Sequence, residues 1–462
     1  GLGDVYKRQE KSGAQKEKHK DSRGRLMKAA VIGAGLAGCE AAKQLSMAGI
    51  PTYLYEMKPK KFSPAHKNEN FAELVCSNSL KAERLNSAAG LLKAEMEMLS
   101  SVCVEAAKRT RVPAGGALSV DRDRFSALIT ENIKSDKNIT VINEEVSVLP
   151  DADVVIVAAG PLASDALTGT IHALCGDGLS FYDASAPIVS ADSVDMEYAF
   201  TQSRYDRGGS DDYINCPMNK EQYEAFYEAI INAESAETHS FDKRHDVYEG
   251  CMPIEVLASR GKDTMRFGPL KPVGLRDPRT GHRPWANLQL RRENSGGTMY
   301  NLVGFQTNLK FGEQKRVFSM FPALHDAEFL RYGVMHRNTF INSPRLLNAS
   351  YSLRSDKRIF FAGQITGVEG YMESASSGIM AGLNAARYLL GKEPLVLPNT
   401  TVTGALARYI SDETVTNFQP MGANFGMLPP LPEKIRDKSE RYTAIAERGM
   451  RDLEEYLKSL GL

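Results

Sequence analysis

The chain has 462 residues, 42% hydrophobic and 25% charged, with 57 Lys+Arg against 57 Asp+Glu and hence zero net charge. That length exceeds the roughly 100–200 residues of one ordinary core, and the composition is globular, so a single small domain and a disordered, collagenous or disulfide-scaffold chain are all excluded. No global field draws the molecule to a polyanion, so any nucleic-acid contact needs a local patch.

Residues 1–26 carry eight Lys/Arg and four Asp/Glu without apolar periodicity and read as a disordered or artefactual tail. The N-terminus lacks the apolar core of a signal peptide, and no run of about 18 apolar residues marks a membrane span. A soluble, cytoplasmic protein with no membrane partner is expected. From Met27 the pattern is an apolar strand (Lys28 to Ile32), a glycine turn (Gly33 to Gly38), an Ala-rich helix to about Ala48 and a second strand (Thr52 to Tyr55) ending at Glu56. This is a βαβ opening. Residues 81–110 read as helix, with Leu91, Leu92, Met96, Leu99, Val102 and Val104 mostly on one face, and Asp121 to Lys134 as another.

Asp153 to Gly160 is a short apolar run closed by Gly-Pro, the profile of a parallel strand buried on both faces. Between about 185 and 345 aromatics rise and turns such as Arg207-Gly208-Gly209 and Asp277-Pro278-Arg279 punctuate short strands of antiparallel style. Arg358 to Gly363 returns to the buried-strand style, Met372 to Leu390 reads as a helix of small residues, and the chain finishes in a charged helix. The expected fold is therefore α/β: a Rossmann-like dinucleotide-binding domain in two parts, 27–185 and 346–462, around an inserted α+β domain, 186–345.

Gly33-Ala34-Gly35-Leu36-Ala37-Gly38 places GxGxxG after a strand and at a helix start, where free N–H groups and the helix dipole hold a pyrophosphate. Gly33 permits the tight turn, Gly35 the phosphate approach, and Gly38 helix-on-strand packing. Glu56, 18 residues after Gly38, stands where a carboxylate accepts ribose hydroxyls. A lone glycine turn can be purely structural; strand, helix and Glu56 together point to a dinucleotide, NAD or FAD. The segment Ile359 to Tyr371 resembles the second FAD fingerprint of flavoproteins of the two-dinucleotide-binding type, which selects FAD and adds Gly363, Gln364, Gly367, Val368 and Glu369 to the cofactor contacts. An Asp often follows the strand glycine in that pattern; here it is Gln364. Tyr371 reads equally as a flavin contact or as a core aromatic.

The six cysteines, Cys39, Cys76, Cys103, Cys175, Cys216 and Cys251, form no CxxC pair, which argues against a zinc ribbon, a disulfide framework and a flavin disulfide reductase; no metal is expected. Cys39 and Cys103 read as packing residues. Cys76 precedes a Ser-Asn-Ser cluster expected to start a helix, whose N-terminus would favour a thiolate; Cys251 lies between a Gly and a Pro-limited turn. Each is a candidate functional thiol or an ordinary buried one.

The motifs GAGLAG at 33–38, ELVCSNSL at 73–80, EGCMPIE at 249–255, RFGPLKPVGL at 266–275 and FAGQITGVEGYMESASSG at 361–378 closely resemble those of the folate- and FAD-dependent bacterial tRNA (uracil-5-)-methyltransferases, over about 430 residues. The resemblance implies methylation of C5 of uridine 54 in the T-loop of tRNA, with 5,10-methylenetetrahydrofolate giving the carbon and FAD, reduced by NAD(P)H, the electrons. It also implies Cys251 as the nucleophile toward uracil C6 and Cys76 as a second active-site thiol that assists proton removal or handling of the one-carbon unit; Tyr371 joins them as a candidate catalytic residue from its place at the flavin side of the second fingerprint. A wobble-uridine-modifying flavoprotein of the GidA/MnmG type, or a flavin-loaded RNA-binding protein without catalysis, are the rival readings; the former carries a longer C-terminal extension. A monomer or homodimer is expected.

Arg260 to Arg292 holds nine Lys/Arg against two Asp, which suggests a basic face for RNA, with Arg279, Arg283 and Arg291 as candidate contacts. A solvated face offset by neighbouring acids is the plainer alternative. Trp285 reads as hairpin packing more readily than as a stacking platform.

Overall fold

The computed structural model describes residues 27–461 except 64, 176–178, 185, 208–211, 237–251, 293–296, 298, 334, 416–417 and 419. Five parallel strands form the first sheet, in the order Ile359–Phe361, Val154–Val157, Ala29–Ile32, Thr52–Tyr55, Ile139–Ile142. Ala29–Ile32 and Val154–Val157 are buried at every position, as helices on both faces of a parallel sheet require. The strand from the far end of the chain thus pairs with the early ones, Phe361 opposite Val157.

Helix Leu36–Met47 follows the glycine turn and packs along helix Tyr371–Leu389. The fit is backbone-close. A Cβ on Gly378 would lie 2.1 Å from the Ala37 carbonyl oxygen, and one on Gly382 2.6 Å from that of Ala41. The small residues of the later helix are therefore a packing requirement of the crossing.

The strands Phe200–Thr201, Tyr213–Met218, Ala286–Arg292, Met299–Leu302, Ile188–Ser190 and Phe329–Arg331 form, in that order, an antiparallel sheet of six. It has its own core of Phe226, Phe305, Phe318 and Phe321 among others, separate from the core shared by the parallel sheet and the flanking helices. A two-stranded ribbon, Leu179–Ala184 with Met335–Phe340, joins the two regions.

The expected helix over 81–110 is not continuous. Ser79–Ala82 is a strand, paired with Ala117–Val120 in a small antiparallel sheet. Helices Ala88–Met98 and Val102–Arg109 follow, each with a serine cap: Ser87 accepts from the Gly90 N–H and Ser101 from that of Val104. Ser100, at φ 61°, makes the break between them. The apolar face is continuous across it because both helices bury that face in one core.

Candidate functional site

At the carboxyl ends of the parallel strands lies a cavity of about 440 Å³ bordered by both glycine turns, by Glu56 and by Cys76 and Tyr371. Gly33 has φ +99° and a Cβ there would meet the Ala158 carbonyl oxygen at 2.7 Å; one on Gly38 would sit 1.7 Å from that of Gly33. Gly35 instead has nothing within 4 Å of its notional Cβ, and it caps helix Leu36–Met47 without any side-chain hydrogen bond. The open side of the turn and the uncapped first N–H groups, with Ala34, Leu36 and Ala37 lining the cavity, fit the pyrophosphate of a dinucleotide.

Glu56 is buried; its carboxylate accepts from the N–H of Ala34 at 2.9 Å and of Lys58 at 3.0 Å. It ties the turn to the second strand, and its remaining lone pairs face the cavity where ribose hydroxyls are expected. At the second turn Gly363 (φ +87°) donates its N–H to Ser377 Oγ at 2.6 Å, and Gln364 Nε2 donates to the Glu369 carboxylate at 3.0 and 3.2 Å. Gly363, Gln364 and Glu369 line the cavity. Gly367 and Val368 do not, which corrects the expectation for both. Val368 is fully buried and bridges Met421, and a Cβ on Gly367 would meet the Phe418 ring at 2.4 Å, so these two shape the loop rather than touch a ligand.

Cys76 is not at a helix N-terminus, another correction: the residues after it enter the strand Ser79–Ala82. Its surroundings come from elsewhere in the chain. Tyr371 Oη accepts from the N–H of Cys76 at 2.8 Å and of Ser77 at 3.3 Å and lies 2.9 Å from Cys76 Sγ. With both acceptor positions of that oxygen taken by N–H groups, the hydroxyl hydrogen is left for the sulfur. Burial pushes the tyrosine's pKa well above its ordinary value, so it remains a donor.

Three arginines hold the flanks of Cys76. Arg122 donates to the carbonyls of Leu74 at 2.8 Å and Val75 at 3.2 Å, Arg331 to that of Val75 at 3.1 Å, and Arg291 to Asn78 Oδ1 at 3.0 Å and Ser77 Oγ at 2.7 Å. Arg291 is buried in this role, which removes it from the surface expected to meet RNA. Arg122 and Arg331 carry no local signal; Arg331 is 256 positions from Val75.

Cys251 lies outside the described residues. Ile254 donates its N–H to the carbonyl of Gln306 at 2.8 Å, and Gln306 lines the cavity. Cys39, Cys103 and Cys216 are buried thiols whose pKa burial pushes up, and Cys175 is raised to about 11 by the same cause, so none of these four is poised as a thiolate. Arg279 is exposed and holds Asp277 with two parallel bonds, and Arg283 is exposed. Among the described residues no group of His, Cys, Asp or Glu could hold a metal ion, and no helix is long and apolar enough to cross a membrane.

The family model "Glucose inhibited division protein A" matches residues 28–393. The chain is 60% identical over 428 residues to the methylenetetrahydrofolate--tRNA-(uracil-5-)-methyltransferase TrmFO of Acetivibrio thermocellus, spanning 92% of this chain and 98% of that one. It is 56% identical to the protein of the same name from Lactiplantibacillus plantarum, over 92% and 96% of the two chains. In fold it is similar to Aquifex aeolicus GidA, with a TM-score of 0.66 at 15% identity over 97% of this chain and 77% of that structure.

Proposed function

Because the chain belongs to the TrmFO family of methylenetetrahydrofolate--tRNA-(uracil-5-)-methyltransferases, within the wider glucose-inhibited division protein A family, we propose that it methylates C5 of uridine 54 in the T-loop of tRNA, in the cytoplasm. FAD, reduced by NAD(P)H, supplies the electrons that convert the one-carbon unit of 5,10-methylenetetrahydrofolate to methyl. Gly33 to Ala37, Glu56, Gly363, Gln364 and Glu369 would hold it, since they border one cavity and leave its phosphate-facing turn open.

C5 of uracil is a poor nucleophile until a thiolate adds to C6 and leaves an enolate across C5; C5 then takes the methylene carbon and gives its proton to a base while the folate amine leaves, and a hydride equivalent, which bound reduced FAD would supply, completes the methyl as the thiolate departs. Cys251 is assigned that addition by its place in EGCMPIE. Cys76 is assigned the proton or one-carbon handling, with Tyr371 donating to its sulfur. The observation that carries the reading is the 2.9 Å approach of Cys76 Sγ to Tyr371 Oη on the wall of the cavity that both glycine turns border. The target uridine must leave its stack to reach this wall.

The test is methyl transfer to an unmodified tRNA transcript by the flavin-loaded chain and by its Cys251→Ser and Cys76→Ser variants, with folate donor and NADPH. Loss of transfer in both variants with flavin retained is expected; full transfer by either removes that thiol from the scheme. The wobble-uridine reading has no supporting observation beyond the shared fold.

A further inference from the structure

A second surface cavity, of about 610 Å³, lies in the region of the antiparallel sheet and is lined by Lys220, Arg266, Arg279, His282, Arg283 and Trp285 among others. Trp285 is 37% exposed and nearby Phe267 83% exposed. The Arg266 guanidinium sits 3.9 Å from the centroid of the indole, and Lys220 Nζ 5.7 Å from it. Arg266 also donates to the Trp285 carbonyl at 3.0 Å and to Asp263 at 2.7 Å, which fixes the ring–guanidinium stack. The acid that lines the cavity, Asp277, is taken up by Arg279. Lys220 and Arg283 are exposed.

An exposed indole backed by a guanidinium, with further cations on the same cavity wall, is the chemistry that recognises an unpaired base and the phosphates beside it. Position also matters. Trp285 immediately precedes strand Ala286–Arg292, whose far end meets the Cys76 loop through Arg291. Six residues at about 3.3 Å rise put the indole about 20 Å from that loop. A tRNA that enters the catalytic cavity is large enough to span that distance.

We propose that the Trp285 cavity is a second RNA subsite, which seats one unpaired nucleotide of the substrate tRNA on the indole, with Lys220 and Arg283 on its flanking phosphates. The inference rests on tRNA being the substrate but not on methyl transfer. Trp285 is the single tryptophan of the chain, so its emission reports this cavity alone.

The experiment titrates the flavin-loaded chain with unmodified tRNA transcript and reads the tryptophan fluorescence lifetime, with binding followed independently by filter retention. Bound tRNA is expected to shorten the lifetime at least two-fold, whereas heparin, which has charge but no bases, leaves it unchanged. Trp285→Ala should weaken tRNA binding about ten-fold, within the range for one base–aromatic stack, and Trp285→Phe should restore most of it. The double change Lys220→Ala and Arg283→Ala should lower the slope of log affinity against log salt by about two. A lifetime unaltered at saturating tRNA, an equal response to heparin, or variants that bind with unchanged affinity and salt slope would each overturn the subsite. Methyl transfer failing while these responses persist would refute the catalytic reading and leave the subsite standing.

Discussion

The hydroxyl of Tyr371 lies 2.9 Å from the sulfur of Cys76. It accepts two backbone N–H groups and faces the sulfur, while Arg122, Arg291 and Arg331 hold the chain on either side. Tyr371→Phe strands both N–H groups and withdraws the donor from the sulfur. The expected result is a rise in the pH at which Cys76 becomes reactive and a loss of methyl transfer on the order of 100-fold, the lower range for a positioned proton donor. The pH dependence of Cys76 alkylation by iodoacetamide, followed by peptide mass, measures the first; an unchanged profile would show that the tyrosine acts only in packing. None of this was legible beside Cys76, where the Ser-Asn-Ser cluster reads as a cap. The cap reading fails because Ser79 and Ala82 find partners in Ser119 and Ala117, a pairing nearly 40 residues away that local propensity does not encode.

At the scale of elements, buried carboxylates add to the side-chain caps Ser101 and Thr401 at two helix starts. Glu95 accepts from the N–H groups of Val402 at 2.7 Å and Thr403 at 2.8 Å and from the Thr403 hydroxyl at 2.7 Å, at the start of helix Val402–Tyr409. Glu40 does the same for helix Val102–Arg109, accepting from Val102 at 3.2 Å and Cys103 at 3.0 Å and from the Ser101 hydroxyl. Glu95→Ala leaves those donors buried without a partner and is expected to cost about 3 kcal/mol of unfolding free energy, measurable by urea titration; a loss under about 1 kcal/mol would contradict the capping role. The crossing of helices Leu36–Met47 and Tyr371–Leu389 is as demanding. Gly378→Val forces atoms onto the Ala37 backbone, so the variant should lose flavin content as well as thermal stability, read by absorbance of the purified protein. The crossing itself was foreshadowed by the glycine turn at 33–38 and the small residues after Met372; its intimacy was not, since spacing on two helices says nothing of the distance between them.

Across the whole molecule these two carboxylates also set a pH dependence. Burial raises both to about 7 against the hydrogen bonds that oppose it. The folded state therefore keeps protons that the unfolded chain releases near pH 4.5, so their contribution is full below that pH and is lost as pH rises toward 7, by about 1.4 kcal/mol per unit for each group. Glu40→Gln with Glu95→Gln should flatten the fall in unfolding free energy between pH 5 and 7 relative to the parent; parallel curves would mean that both stay ionised in the fold. At this scale the sequence reads well where the signal is a repeated style of strand: Val154–Val157 and Ile359–Phe361 share one apolar texture and lie side by side. It reads poorly where the two cores meet, because Arg331 and Arg291 belong to one sheet and serve a loop of the other region. The same holds for Trp285, which reads as hairpin packing yet stands exposed against Arg266.

In the proposed reaction a methylene carbon carried by folate becomes the methyl group of one tRNA uridine. Supplying a tRNA transcript with methylenetetrahydrofolate doubly deuterated at that carbon, together with NADPH and the flavin-loaded chain, tests it directly by mass mapping of the RNA. One methyl on uridine 54 that retains both deuterium atoms is expected. A methyl without deuterium, a modification confined to the anticodon, or no modification by a fully flavin-loaded protein would contradict it.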